Sequence, residues 1–222
     1  MKRCNLLKLY KTLYSYFGPQ HWWPAKSKFE ICVGAILTQN TAWRNVEKAI
    51  ANLKRAKKLS LQGILSLSEK ELAELIKSAG YYNQKAKRLK LFCEYVKQNY
   101  AGSLRRFFNK PLAELREELL SLHGIGYETA DSIILYAAEK PSFVIDAYTE
   151  RIMQRFCNVK LKSRAELKQF FEDTLPKDIK LYNEYHALFV ELAKNFCKKK
   201  PLCNKCPINK KCYYYKIKVA HK

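Results

Sequence analysis

The sequence predicts an all-α fold, and three observations carry that prediction. Charged residues sit between Leu, Ile and Ala at spacings of three and four, the period of an amphipathic helix rather than of a strand. Only 7 Gly and 7 Pro interrupt 222 residues. The one strand-like run, FVI at 143–145, is too short to build a sheet. With 48% hydrophobic residues the chain can fill one large core or two small ones.

The elements follow in order. Residues 5–17 (NLLKLYKTLYSYF) read as an amphipathic helix stopped by Gly18 and Pro19. HWWP (21–24) is a loop leading into FEICVGAIL (29–37), whose nearly unbroken apolar run fits the central helix of a bundle. TQNT (38–41) breaks the run, and 43–54 resumes as an amphipathic helix. Segments 69–78, 84–98 and 111–121 keep the helical period, with Gly80 as a stop and Pro111 as a start. These make a bundle of about six helices, followed by a helical C-terminal layer that carries cysteines. No apolar run reaches transmembrane length, and MKRCNLLKLY lacks the apolar core and cleavage site of a signal peptide, so a cytoplasmic location is expected.

Charge narrows the class of partner. Lys and Arg number 42 against 20 Asp and Glu, a net +22, beyond what solubility needs and suited to a polyanion. A membrane-surface binder or a lysine-rich thermophile surface would give a similar count. The segment 111–138 is more specific. Two helical stretches, the second with Ala130, Ile133, Ile134, Ala137 and Ala138 on one face, flank the turn HGIG (123–126). Gly124 and Gly126 leave the turn bare, so backbone N–H groups can converge on a phosphate. L-x-G-I-G, with Leu122 and Ile125, is the helix–hairpin–helix signature of backbone-directed DNA binding. The plain alternative is a glycine-capped turn.

Cysteine supplies the next signal. Cys197, Cys203, Cys206 and Cys212 are spaced C-x5-C-x2-C-x5-C among lysines, a thiolate set for a [4Fe–4S] cluster or, after rearrangement, zinc. A single C-x2-C knuckle favours iron–sulfur over zinc, and a pair of disulfides or four free thiols are the alternatives.

The stretch 122–156 (LHGIGYETADSIILYAAEKPSFVIDAYTERIMQRF), the cysteine loop, GAILTQNT (34–41) and GYYNQKAKRL (80–89) together resemble the endonuclease III superfamily of DNA glycosylases. The resemblance spans about residues 25–215 in matching order. It implies a six-helix barrel holding the hairpin, residues 26–140, and a discontinuous iron–sulfur domain, 1–25 with 141–222. It also implies bent double-stranded DNA between them and a flipped, damaged base.

By this likeness Asp146 is the catalytic carboxylate, a fixed anion opposite the oxocarbenium character that develops as the glycosidic bond breaks. Its position also suits a helix N-cap. Gln39 matches the residue that fills the gap left by the flipped base, or is a buried structural glutamine. Lys85 matches a phosphate contact, or is a solvated charge. HWWP followed by LTQNTAW looks like the 3-methyladenine glycosylase branch, in which Trp22, Trp23 and Trp43 would sandwich a cationic purine; otherwise they are core.

Two departures from the family pattern matter. The first cysteine gap is five residues where the family commonly has six. Glu128 stands where bifunctional members carry the lysine that attacks the sugar, and a carboxylate forms no Schiff base. The expectation is therefore a monomeric, monofunctional, iron–sulfur DNA glycosylase of base excision repair, with no membrane partner. The alternatives are a bifunctional glycosylase/AP lyase for oxidised pyrimidines, a non-catalytic DNA-structure sensor and an electron carrier.

Overall fold

The computed structural model of the chain describes residues 4–158 and 163–218. Helices and turns account for all regular structure among the described residues, with no strand. The chain divides into two compact units, residues 23–140 and residues 1–22 with 141–222.

The unit 23–140 is built on α2 (Lys28–Leu37), the run that is apolar on all sides. Cys32, Val33, Ile36 and Leu37 on it are fully buried, and Ser27 caps its start by accepting the Glu30 N–H. Around it stand α3 (Trp43–Arg55), α4 (Leu61–Leu65), α5 (Glu69–Leu75), α6 (Tyr82–Tyr100) and α7 (Leu104–Phe108). Then come α8 (Leu112–Ser121) and α9 (Tyr127–Ser132), which runs into a π-helical turn at Ile133–Ala137. Leu53, Leu72, Leu89, Phe92, Leu115 and Ile133 close the core. A capping box between Ser68 and Glu71 starts α5.

The expected helices at 43–54, 84–98 and 111–121 appear as α3, α6 and α8. The expected helix 69–78 ends early at Leu75 and tightens into a 3-10 turn at Lys77–Ala79. Residues 58–66 and 103–109 gave too few periods to be read as the short helices α4 and α7.

Lys85 corrects one expectation. It is only 1% exposed, and its Nζ donates to the carbonyls of Leu37 and Ala79 at 2.9 and 2.8 Å. The ammonium is spent inside the unit, stitching the end of α2 to the 3-10 turn before α6, and is not presented to a phosphate.

The other unit contains α1 (Leu6–Phe17), α10 (Ala147–Cys157), α11 (Arg164–Thr174), α12 (Ile179–Asn195) and α13 (Tyr213–Lys218). FVI is extended but pairs with nothing as a strand. Its Phe143 and Val144 are fully buried, and Phe143 stacks on Phe171 with centroids 4.1 Å apart. α1 is held to this core by the Tyr185 hydroxyl, which donates to the Leu6 carbonyl at 2.9 Å. Cys4 and Cys157 are joined in a disulfide, Cα to Cα 5.6 Å. Spacing suggests disulfides only within the four-cysteine loop, whereas the fold brings the start of α1 to the end of α10, across 153 residues. The four loop cysteines are not disulfide-bonded.

Candidate active site and cysteine loop

Asp146 ends the buried FVI segment and is the N-cap of α10, extended at φ −104°, ψ 176°. One carboxylate oxygen, Oδ1, accepts the Thr149 N–H at 2.7 Å, so the cap reading holds in the structure. The other, Oδ2, lies 3.6 Å from His186 Nε2 on α12. The residue is 8% exposed. Burial alone would raise its pKa, but the His186 and Thr149 contacts outweigh burial and hold the carboxyl below its ordinary 3.8. The result is a buried carboxylate held in its ionised form at the positive end of an 11-residue helix.

The hairpin lies in the unit 23–140. Leu122 ends α8 in extended backbone. Gly124 takes φ +84°, a left-handed conformation that glycine adopts without strain. The Ile125 N–H donates to the Leu122 carbonyl at 3.0 Å, and its side chain is buried at 5% exposure. Gly126 is the N-cap of α9 and exposed. A half-buried ion pair ties the two hairpin helices together. Asp131 is 2% exposed and takes Arg116 Nε at 2.9 Å and Nη2 at 3.3 Å. The Arg116 guanidinium also lies 5.3 Å from the Tyr127 ring centroid. Glu128 is exposed in the first turn of α9.

Gln39, in the turn just past α2, is bound to this hairpin. Its Nε2 donates to the Gly124 carbonyl and the Thr129 hydroxyl, both at 2.9 Å, and its Oε1 accepts from Arg88 Nη1. The Arg88 stem lies directly against Gly124: a Cβ built there would meet Arg88 Nε at 2.3 Å. Arg88 escaped the sequence reading because nothing distinguishes one basic residue on α6 from 41 others.

The three tryptophans separate. Trp23 and Trp43 meet edge to face at 5.1 Å, and Trp23 also contacts Tyr136 of the π-helical turn at 5.1 Å. Gly34 makes room for this cluster, since a Cβ there would meet the Trp23 ring at 3.1 Å. Trp43 Nε1 donates to Glu47. Trp22 belongs to the other unit, where Lys194 Nζ lies 5.6 Å from its ring centroid. Tyr136 was hidden within the apolar run of its helix.

Cys197, Cys203, Cys206 and Cys212 line one pocket together with Ile152, Phe156 and Leu192. Arg151 Nε donates to the Cys197 carbonyl at 2.7 Å, and Arg155 donates to the Cys197 sulfur and to the Lys198 and Lys199 carbonyls. Burial pushes the Cys206 thiol up to about 11, and burial raises Cys203 and Cys212 as well. Among the described residues no three carboxylate, imidazole or thiol groups gather closely enough to hold a single metal ion.

An all-α chain of net charge +22 with a glycine hairpin between two ion-paired helices defines a protein of the DNA-binding class. The model of the HhH-GPD superfamily of base excision DNA repair proteins matches residues 33–177. A protein of Methanocaldococcus jannaschii named as a DNA repair glycosylase is 50% identical over 93% of this chain and 95% of its own. The structure of the H. pylori 3-methyladenine DNA glycosylase MagIII bound to 1,N6-ethenoadenine superposes with a TM-score of 0.76. It is 31% identical and covers 86% of this chain and 98% of that one. An endonuclease III trapped as a covalent intermediate on DNA shares the fold, with a TM-score of 0.81 at 21% identity over 96% of this chain and 98% of that one. The chain belongs to the HhH-GPD superfamily and is a DNA repair glycosylase of that family.

Proposed function

We propose that this glycosylase is monofunctional: it extrudes a damaged nucleotide, hydrolyses the N-glycosidic bond with water and leaves an intact abasic strand. The observation that carries the reading is Asp146, a buried, ionised carboxylate at a helix N-cap. As the bond from C1′ to the base nitrogen breaks, positive charge develops on the sugar, and a fixed anion stabilises it. Water then forms the new C1′–O bond and gives up a proton to solvent. Glu128 in the first turn of α9 offers no amine for a covalent intermediate.

An alkylated purine is the substrate class we favour. A purine alkylated at N3 or N7 is cationic in the duplex and leaves as a neutral molecule, so it needs no proton from the enzyme. The paired rings of Trp23 and Trp43, and the ring of Trp22, provide π-faces of the kind that attract it. MagIII, at 31% identity, is named as a 3-methyladenine DNA glycosylase.

Bare DNA backbone is the ligand of the hairpin residues Leu122, Gly124, Ile125 and Gly126 in this reading, and Gln39, whose amide is engaged by Gly124, Thr129 and Arg88, holds the turn in shape as a structural glutamine rather than entering the stack. The four cysteines suit a [4Fe–4S] cluster. The single C-x2-C knuckle among these thiols favours the cluster over zinc. The thiols share one pocket, where burial and mutual proximity oppose ionisation until a cationic core is present. When bound, the cluster would hold the lysine-rich loop in shape.

The test is base release from duplexes each carrying one lesion: 1,N6-ethenoadenine, a 3-alkylated adenine, uracil, an oxidised pyrimidine. We expect release from an alkylated purine and a loss of roughly 10²-fold or more in Asp146→Asn with lesion binding retained. A fully active Asp146→Asn overturns the mechanism. Anaerobically purified protein should contain iron and be yellow-brown, and stoichiometric zinc without iron would remove the cluster.

A further inference from the structure

Asp146 has a buried neighbour that the sequence did not point to. His186 sits in the middle of α12, in NEYHALF, and is 6% exposed. α12 packs along α10 within the same unit, and this brings Nε2 to 3.6 Å from Asp146 Oδ2. That separation is longer than a hydrogen bond and within reach of an ion pair. The two oxygens of the carboxylate are thus treated differently. Oδ1 is fixed by the Thr149 N–H, while Oδ2 faces the imidazole.

A carboxylate rotates about its own bond unless both ends are held, and a buried anion tends to take up a proton unless opposed. The helix start and the Thr149 N–H answer only half of each problem. We propose that His186 is a positioning residue for the glycosylase reaction. With Nε2 protonated, it would turn an N–H toward Oδ2, fix the rotation of the Asp146 carboxylate and keep it ionised while the oxocarbenium character develops. The inference rests on the reading of Asp146 as the catalytic carboxylate and adds a residue that acts on its second oxygen. His186 itself does not reach the sugar in this scheme. No atom is transferred through it.

The experiment uses His186→Leu, which removes the donor at similar volume, and His186→Gln, which keeps one. Each is also built in the Asp146→Asn background. Single-turnover base release is measured on whichever duplex of the panel the wild type processes, and affinity on a duplex carrying a tetrahydrofuran abasic analogue. We expect His186→Leu to slow release about 10-fold or more, the scale of losing one hydrogen bond to a charged group, with affinity within twofold of wild type. His186→Gln should recover most of the rate, and in Asp146→Asn neither change should slow release further. Wild-type rates in His186→Leu overturn the inference. So does an equal loss in the Asp146→Asn background, which would mark a purely structural role, or a His186→Gln as slow as His186→Leu. Should His186→Leu fail to fold by circular dichroism, the Gln variant and the double variant His186→Gln/Asp146→Asn decide alone: a loss in Gln that persists in the double variant overturns it. Failure of the underlying reading looks different, because Asp146→Asn would then itself release base at the wild-type rate, or the wild type would release none.

Discussion

Replacing Gly124 by Ala tests whether the hairpin, Gln39 and Arg88 form one unit. Two costs follow from the structure. Residue 124 holds φ +84°, and a side chain in left-handed backbone costs about 1–2 kcal/mol. The new Cβ would also stand 2.3, 2.5 and 2.6 Å from Nε, Cδ and Cγ of Arg88. These atoms lie in the middle of the side chain, so Arg88 cannot give way at its tip alone. The whole stem must move, and its hydrogen bond to Gln39 Oε1 goes with it. A bond from a charged donor contributes about 1.5–3 kcal/mol, and because Arg88 is only half-buried the lower end applies.

The sum is a destabilisation of about 2.5–3.5 kcal/mol, read as a shift in urea midpoint at unchanged slope. In an Arg88→Ala background the steric part disappears, and Gly124→Ala should cost only the backbone strain, about 1–2 kcal/mol. Affinity for undamaged duplex should fall equally for all sequences, since the turn addresses phosphates. Equal costs in the two backgrounds would refute the coupling between Gly124 and Arg88, and a cost below about 0.5 kcal/mol would refute the strain argument itself.

Three further outcomes are expected. Borohydride should trap no covalent adduct between the enzyme and lesion DNA, and the product strand should stay intact until alkali is added; a strong adduct would make the enzyme bifunctional. Trp23→Ala and Trp43→Ala should lower the ratio of release rates for a cationic purine over uracil by about 2- to 30-fold, the worth of a cation–π contact of about 0.5–2 kcal/mol, whereas an unchanged ratio in both, and in Trp22→Ala, returns the rings to a packing role. Burial, aided by the nearby Arg88, lowers Lys85 from 10.5 to about 8. The unfolded chain therefore binds this proton between about pH 8 and 10.5 where the folded chain has released it, so folding stability should rise with pH across that window. Lys85→Met should flatten the rise, and an identical slope in the variant would show that Lys85 is not its source.

Local signals are what the sequence carried well. Periodicity and caps are short-range properties of the chain, so α1, α2, α3, α6 and α8 could be read from spacing, and the all-α class with them. The hairpin was legible because two glycines in a four-residue turn have a local steric reason, and Gly124 does take a left-handed conformation. The cysteine set was legible as chemistry, because four thiols within 16 residues need no fold to be counted.

Everything that depended on partners distant in the chain had to wait for the tertiary structure. The sequence could not distinguish a lysine aimed at a phosphate from Lys85, whose ammonium is buried between two carbonyls, one of them 48 residues away. Nor could it show that Gln39 answers to the hairpin 85 residues on, that Cys4 meets Cys157, or that adjacent Trp22 and Trp23 belong to different units. A side chain's identity states what it can bond to, and only packing decides which partner reaches it. Asp146 shows both halves: the sequence supplied the carboxylate and its helix cap, and the packing of α12 on α10 brought His186 to its other oxygen.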